Sequence, residues 1–382
     1  MNTCEENILG ENTGGFRVQK AETEMRIVQL QTSDKGRRLG VINGDKILDV
    51  TEIDGMPTLR SVYEAFHAAE QRGLSLNELL AVRAKESSRR FDYKVVLATE
   101  PNSGRPYLLP PVDHPDPYRT LVAGTGLTHL GSMQSRDQMH VANKPASAST
   151  EQSTVPKTDS AKMFEMGLAD GRPTDGQRGV APEWFFKGNG SILRGQREKL
   201  QIPDFALDGG EEPEIVGCYM IDKNGQPVRL GFSLGNEWSD HATEKINYLY
   251  LAPSKLRTCP IGPELNTDWN FQEVTLRCTV TRGKQTLYDS GSLFSGERHM
   301  SHSLANLEDH HFKYPQHCQP GDVHLHFFGT SKLSFSTRDW KYADGDIVKV
   351  EAHGWSAPLT NSVQRSTDPI TTPTRVRVPT SN

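Results

Sequence analysis

Glu212-Pro213-Glu214-Ile215-Val216-Gly217-Cys218-Tyr219-Met220-Ile221 sets two carboxylates directly before a continuous apolar run. A second run, Leu230-Gly231-Phe232-Ser233-Leu234, leads into Gly235-Asn236-Glu237-Trp238-Ser239 and so ends on another acid. Short apolar runs of this kind read as buried strands. Side chains leave a strand with period 2, so Glu212 and Glu214 share one face. Glu237, at the end of a neighbouring strand, completes three carboxylates. That is an all-oxygen half-shell of the kind a hard divalent cation takes. The plainer reading, surface acids that happen to flank two strands, loses ground because other parts of the chain fit the same site.

With 382 residues the chain suits two domains, or one large domain with an appendage. A net charge of −5 argues against a general nucleic-acid binder. No stretch approaches the roughly 18 consecutive apolar residues of a membrane span, and residues 1–24 are polar, without the apolar core of a secretory signal. The expectation is a cytoplasmic protein with neither membrane nor nucleic-acid partners. Its five cysteines, odd in number and scattered, read as reduced thiols.

Residues 1–24 read as a disordered leader, and residues 25–114 as a small α+β unit. In that unit Arg26-Ile27-Val28-Gln29-Leu30 and Arg38-Leu39-Gly40-Val41-Ile42 alternate like a hairpin, and Lys46-Ile47-Leu48-Asp49-Val50 follows. Ser61-Val62-Tyr63-Glu64-Ala65-Phe66 has helical spacing, and Ser75-Leu76-Asn77-Glu78 is a capping box. Beyond the break at His114, Pro115 and Pro117 the chain turns mostly β, with strands expected at 119–123, 215–221, 228–234, 273–280, 323–328 and 346–352. The polar stretch within 141–178 reads as a mobile lid or insert. The histidines His299, His302, His310, His311, His317, His324 and His326 read as a surface helix followed by a strand, without the ligand spacing zinc requires.

Taken in order, Pro182-Glu183-Trp184-Phe185-Phe186-Lys187-Gly188, Glu212-Pro213-Glu214, Gly235-Asn236-Glu237-Trp238-Ser239, Lys255, Pro320-Gly321-Asp322-Val323, Gly329-Thr330 and Asp344-Gly345-Asp346-Ile347-Val348 resemble the fumarylacetoacetate hydrolase superfamily over about residues 115–365. The resemblance implies an α+β, mostly β chain: residues 115–382 as a catalytic domain with a mixed β-roll or β-sandwich, behind the small N-terminal unit. It also implies Mg²⁺, or Mn²⁺ or Ca²⁺ in its place, a 2-keto acid substrate, and a homodimer or higher homo-oligomer.

Residue by residue, the resemblance makes Glu212, Glu214 and Glu237 the metal ligands, Glu237 standing where the family usually has Asp. Lys187, Ser135, Arg136, Ser239, Gly329 and Thr330 fall to substrate binding, and Lys255, Thr128 and His129 to catalysis. Asp240-His241 replaces the family's Arg-Asp pair, so no arginine role transfers there. The segment Thr128-His129-Leu130-Gly131-Ser132-Met133-Gln134-Ser135-Arg136-Asp137 looks more like the family's 2-keto-3-deoxypentonate dehydratase branch than its hydrolases. The expected reaction is therefore dehydration of a 2-keto-3-deoxy-pentonate to 2-oxoglutarate semialdehyde. In it Lys255 is the C3 base, its pKa lowered by the neighbouring dication, and His129 or a lid group assists loss of the C4 hydroxyl. Hydrolysis of an acylpyruvate or 2,4-diketo acid is the alternative, and a non-catalytic 2-keto acid binding protein the second.

Overall fold

The run Ile215–Ile221 is apolar throughout because both faces of its strand are covered. In the computed structural model, which describes residues 24–141, 157–174, 176–366 and 373–379, this strand spans Pro213–Ile221 and every residue in it is buried. Val216, Cys218 and Met220 face one core with the helix residues Val62, Ala65, Phe66 and Leu79. Ile215 and Tyr219 face a second core with Leu276, Cys278, Val280, Val348 and Val350. The alternation is the period-2 geometry of a strand sandwiched on both sides.

A 12-stranded sheet forms the centre of the molecule, and a 6-stranded sheet packs on one of its faces. Pro213–Ile221 pairs antiparallel with Pro227–Asn236 on one side and with Val323–Phe327 on the other. Val323–Phe327 then pairs in parallel with Thr120–Gly126, which pairs antiparallel with Glu183–Asn189. The chain is mixed α/β with more strand than helix.

The N-terminal strands Arg26–Thr32, Gly36–Asn43 and Lys46–Asp49 continue the large sheet, joined to it where Arg26 and Ile27 lie opposite Asn266 and Leu265. Helix Val62–Arg72 starts at Ser61, which caps Glu64 N–H, and ends at Gly73 in the left-handed region at φ 65°. Helix Leu76–Glu86 carries the expected capping box between Ser75 and Glu78. No helix among the described residues is long and apolar enough to cross a membrane. Nearly all of the expected leader, 1–23, and residues 142–156 and 175 of the expected insert lie outside the described residues, while Asp159–Asp170 within the insert is a helix.

The histidine-rich region departs from the surface helix expected of it. Helix Leu304–Phe312 buries His310 and His311, and the strand Val323–Phe327 buries His324 and His326. Trp184 Nε1–H donates to His311 Nδ1 at 3.1 Å, which leaves His311 Nε2–H to donate to His324 Nδ1 at 2.9 Å. The reason is packing: the helix lies against the large sheet, where His311 is satisfied by Trp184 and His324, and His310 Nε2 donates to Gly179 O at 2.9 Å.

Candidate active site

Pairing of Pro213 with Asn236 sets the ends of the two acid-bearing strands side by side. Glu212 N–H donates to Asn236 Oδ1 at 2.9 Å, and Glu237 N–H donates to Glu212 O at 2.9 Å. The three carboxylates of Glu212, Glu214 and Glu237 then converge, each offering an oxygen within 4.8 Å of the others, and all three are buried. Gly329 N–H donates to Glu214 Oε2 at 2.7 Å, and His241 Nε2 meets Glu212 Oε1 at 2.9 Å.

Lys255, at the end of the short helix Leu251–Lys255, puts its ammonium between Glu212 and Glu237, with Glu237 Oε2 at 2.9 Å. Burial works against this charge, but Glu212 and Glu237 outweigh it and push the Lys255 pKa up. The sequence reading expects the opposite shift beside a dication; between two carboxylates the ammonium is held charged.

Burial also raises Glu212, yet the Lys255 and His241 partners hold it below the usual carboxylate range. Glu214 has no such partner. Burial, then the charges of Glu237 and Glu212, push it well above its ordinary value. Glu237 is likewise raised by burial, against the pull of Lys255 and Lys187. Glu237 Oε1 is buried without a hydrogen-bond partner among the described residues. Three crowded, desolvated carboxylates, one of them with an orphaned oxygen, are an oxygen-donor set that fits a hard divalent cation.

A cavity opens on this cluster. Gly329, Thr330, Ser135, Arg136 and Lys255 line it together with the three acids. Lys187, Ser239, Thr128 and His129 lie behind its wall. Lys187 is fully buried and donates to Trp238 O at 2.7 Å and Lys255 O at 2.9 Å. Ser239 Oγ donates to Glu237 O at 2.7 Å. Thr128 Oγ1 donates to Phe328 O at 2.8 Å and contacts His129 Nδ1 at 2.9 Å, while His129 Nε2 meets Ser295 Oγ at 3.1 Å. Burial, aided by the charge of His299, pushes His129 down to about 3. Gly329 is required where it stands: its φ is 93°, and a Cβ there would collide with Thr128 Oγ1.

No family model and no curated protein matches the chain. Among solved structures it is similar to 2-keto-3-deoxy-D-arabinonate dehydratase in the apo form, with TM-score 0.61 and 19% identity over 90% of this chain and 100% of that chain. The same dehydratase complexed with magnesium and 2,5-dioxopentanoate matches with TM-score 0.62 and 17% identity over the same shares. The 2-hydroxyhepta-2,4-diene-1,7-dioate isomerase from Mycobacterium marinum matches with TM-score 0.50 and 16% identity, again over 90% of this chain and 100% of that chain.

The chain has a fumarylacetoacetate hydrolase-like fold. At these identities the likeness is one of architecture. Within that fold, His241 and Glu244 also line the cavity; the sequence named His241 without giving it a role and did not single out Glu244. The signal for them was local. Asp240 caps the helix His241–Ile246 by accepting from Thr243 N–H, and residues three apart on a helix share a side.

Proposed function

We propose that the chain is a divalent-metal-dependent dehydratase acting in the cytoplasm, as a homo-oligomer, on a 2-keto-3-deoxy sugar acid. The substrate is a 2-keto-3-deoxy-pentonate and the product 2,5-dioxopentanoate, the semialdehyde of 2-oxoglutarate. The observation that carries the reading is a lysine ammonium, Lys255, set between two of three convergent buried carboxylates at the floor of one cavity. The shared fold with a dehydratase whose complex holds magnesium and 2,5-dioxopentanoate supports it.

Glu212, Glu214 and Glu237 would hold Mg²⁺, or Mn²⁺ or Ca²⁺, which when bound polarises the keto oxygen and stabilises charge on it. Thr330, on the cavity wall, donates its hydroxyl to Lys332 O at 3.2 Å, which leaves its oxygen to accept from a substrate hydroxyl. Lys255 takes the C3 proton once its two carboxylates are engaged elsewhere and the amine is free to lose its own proton. The electron pair left on C3 forms the C3–C4 double bond as the C4–O bond breaks, and the departing hydroxide gains a proton and leaves as water. A proton shift from C5 to C3 converts the resulting enone to a C4=C5 enol, whose hydroxyl proton moves to C4 to give the aldehyde. Lys187 and Ser239 act from behind by fixing the backbone of Lys255 and Glu237.

Purified protein incubated with Mg²⁺ and a 2-keto-3-deoxy-pentonate is expected to give one equivalent of 2,5-dioxopentanoate, followed by NMR, and to stop on chelation. Release of pyruvate from a 2,4-diketo acid, with the sugar acid untouched, would place the protein among C–C hydrolases instead. Binding of 2-keto acids with no turnover of either would leave a binding protein.

A further inference from the structure

Arg136, Glu183 and Glu244 form a buried charged trio that the reaction above leaves unused. Arg136 Nη1 donates to Glu183 Oε1 at 2.6 Å, and Arg136 Nε stands 3.2 Å from Glu244 Oε1. All three residues are at least nine-tenths buried, and Arg136 and Glu244 line the cavity. Two acids share one guanidinium, so the trio carries an excess of negative charge. Glu183 Oε2 and Glu244 Oε1 have no hydrogen-bond donor among the described residues, the contact to Arg136 Nε being ionic rather than aligned. A buried carboxylate oxygen without a donor is costly, and a ligand that brings one relieves the cost.

The chemistry of that ligand group is restricted. An anionic group would be repelled by the surplus carboxylate, and an alkyl group would leave Glu244 Oε1, the oxygen on the cavity-lining acid, bare. A hydroxyl donates what that oxygen lacks. Its position is restricted as well, because Glu244 lies three residues after His241, whose ring touches Glu212. Both side chains line the cavity that the three acids share, so a ligand held at the acids by its 2-keto acid end has its tail within the same cavity as Glu244. The geometry points to Glu244, held in place by Arg136 and Glu183, as the group that reads a hydroxyl on the tail of the 2-keto acid. The site therefore selects a hydroxylated chain over an alkyl one. This rests on the 2-keto acid reading of the metal end.

The test is calorimetric binding, in Mg²⁺, of 5-hydroxy-2-oxopentanoate and 2-oxopentanoate, which differ by one hydroxyl and carry no leaving group at C4. The unaltered protein is expected to bind the hydroxylated acid on the order of 10²-fold more tightly. Glu244→Ala should bring the two affinities together, read as their ratio within each protein, and Glu244→Gln should keep part of the preference. Equal affinities in the unaltered protein overturn the inference whatever the variants do, as does a preference that survives Glu244→Ala. If neither acid binds the unaltered protein, the 2-keto acid reading itself falls and takes this one with it.

Discussion

The Lys187 ammonium donates a hydrogen bond to the backbone carbonyl of Lys255 at 2.9 Å, from beneath the cavity floor. Its second bond, to Trp238 O at 2.7 Å, ties the same ammonium to the segment that carries Glu237. One buried cation thereby sets the spacing between the cavity lysine and a carboxylate it pairs with.

Lys187→Met removes both bonds; Lys255 O keeps the Arg257 N–H at 2.8 Å, whereas Trp238 O loses its donor, at about 1–3 kcal/mol. Chemical denaturation should register a loss of that order. Turnover should fall with little change in KM, because the misplaced group is Lys255 and not a substrate contact. A variant as stable and active as the parent would remove the strut role.

Lys255→Met leaves Glu212 and Glu237 buried without their ammonium. Breaking a buried pair in this way costs roughly 3–5 kcal/mol. Added Mg²⁺ should restore more stability to the variant than to the parent, since the cation meets no competing ammonium. Turnover should drop on the order of 10²–10⁴-fold, the usual contribution of a general base. Near-normal turnover would strike Lys255 from that role.

Gly329→Ala drives a Cβ into Thr128 Oγ1 at a backbone φ of 93°. The loop must shift, and with it the N–H that holds Glu214 Oε2. Loss of such an outer contact weakens metal binding by about 10–100-fold. A Mg²⁺ titration followed by thermal shift is the measurement, and an unchanged affinity would mean that Gly329 does not orient the ligand.

Burial, with the charges of His324 and His317, pushes His326 down to about 3. The unfolded chain takes up a proton near pH 6.5 and the folded ring does not. The stability this ring contributes is therefore present above about pH 6.5 and lost as pH falls towards 3. By pH 5 the loss is about 2 kcal/mol for this ring. Urea unfolding at pH 7 and pH 5 should show a smaller drop for His326→Gln than for the parent. The difference between the two proteins isolates the ring from Glu214, whose raised pKa acts the other way above about pH 4.5.

The strands around the carboxylates were legible because each buries both faces, and such runs stand out in any polar sequence. The capped helices were legible because Ser61 and Ser75 satisfy backbone donors within three residues of themselves. Strand Cys259–Asn266 was not, since Pro260, Gly262 and Pro263 interrupt it, and only its neighbours in the sheet hold it extended. The trio of Arg136, Glu183 and Glu244 was equally hidden. Its members come from three separate elements, and nothing in a linear spacing says that one guanidinium will meet two distant acids.

By itself the sequence determined the carboxylate cluster, a group that could hold a metal. Glu214 lies in its strand with Glu212 just before it at the spacing of a strand's alternate residues, and Glu237 directly follows the neighbouring strand. Tertiary structure alone decided which groups look into the cavity and in what charge state. It drew Lys187, Thr128 and His129 behind the wall, brought His241 and Glu244 to its surface, and placed Lys255 between two acids. Burial and charge proximity set those outcomes, and both depend on which side chains long-range packing brings within a few ångströms of one another.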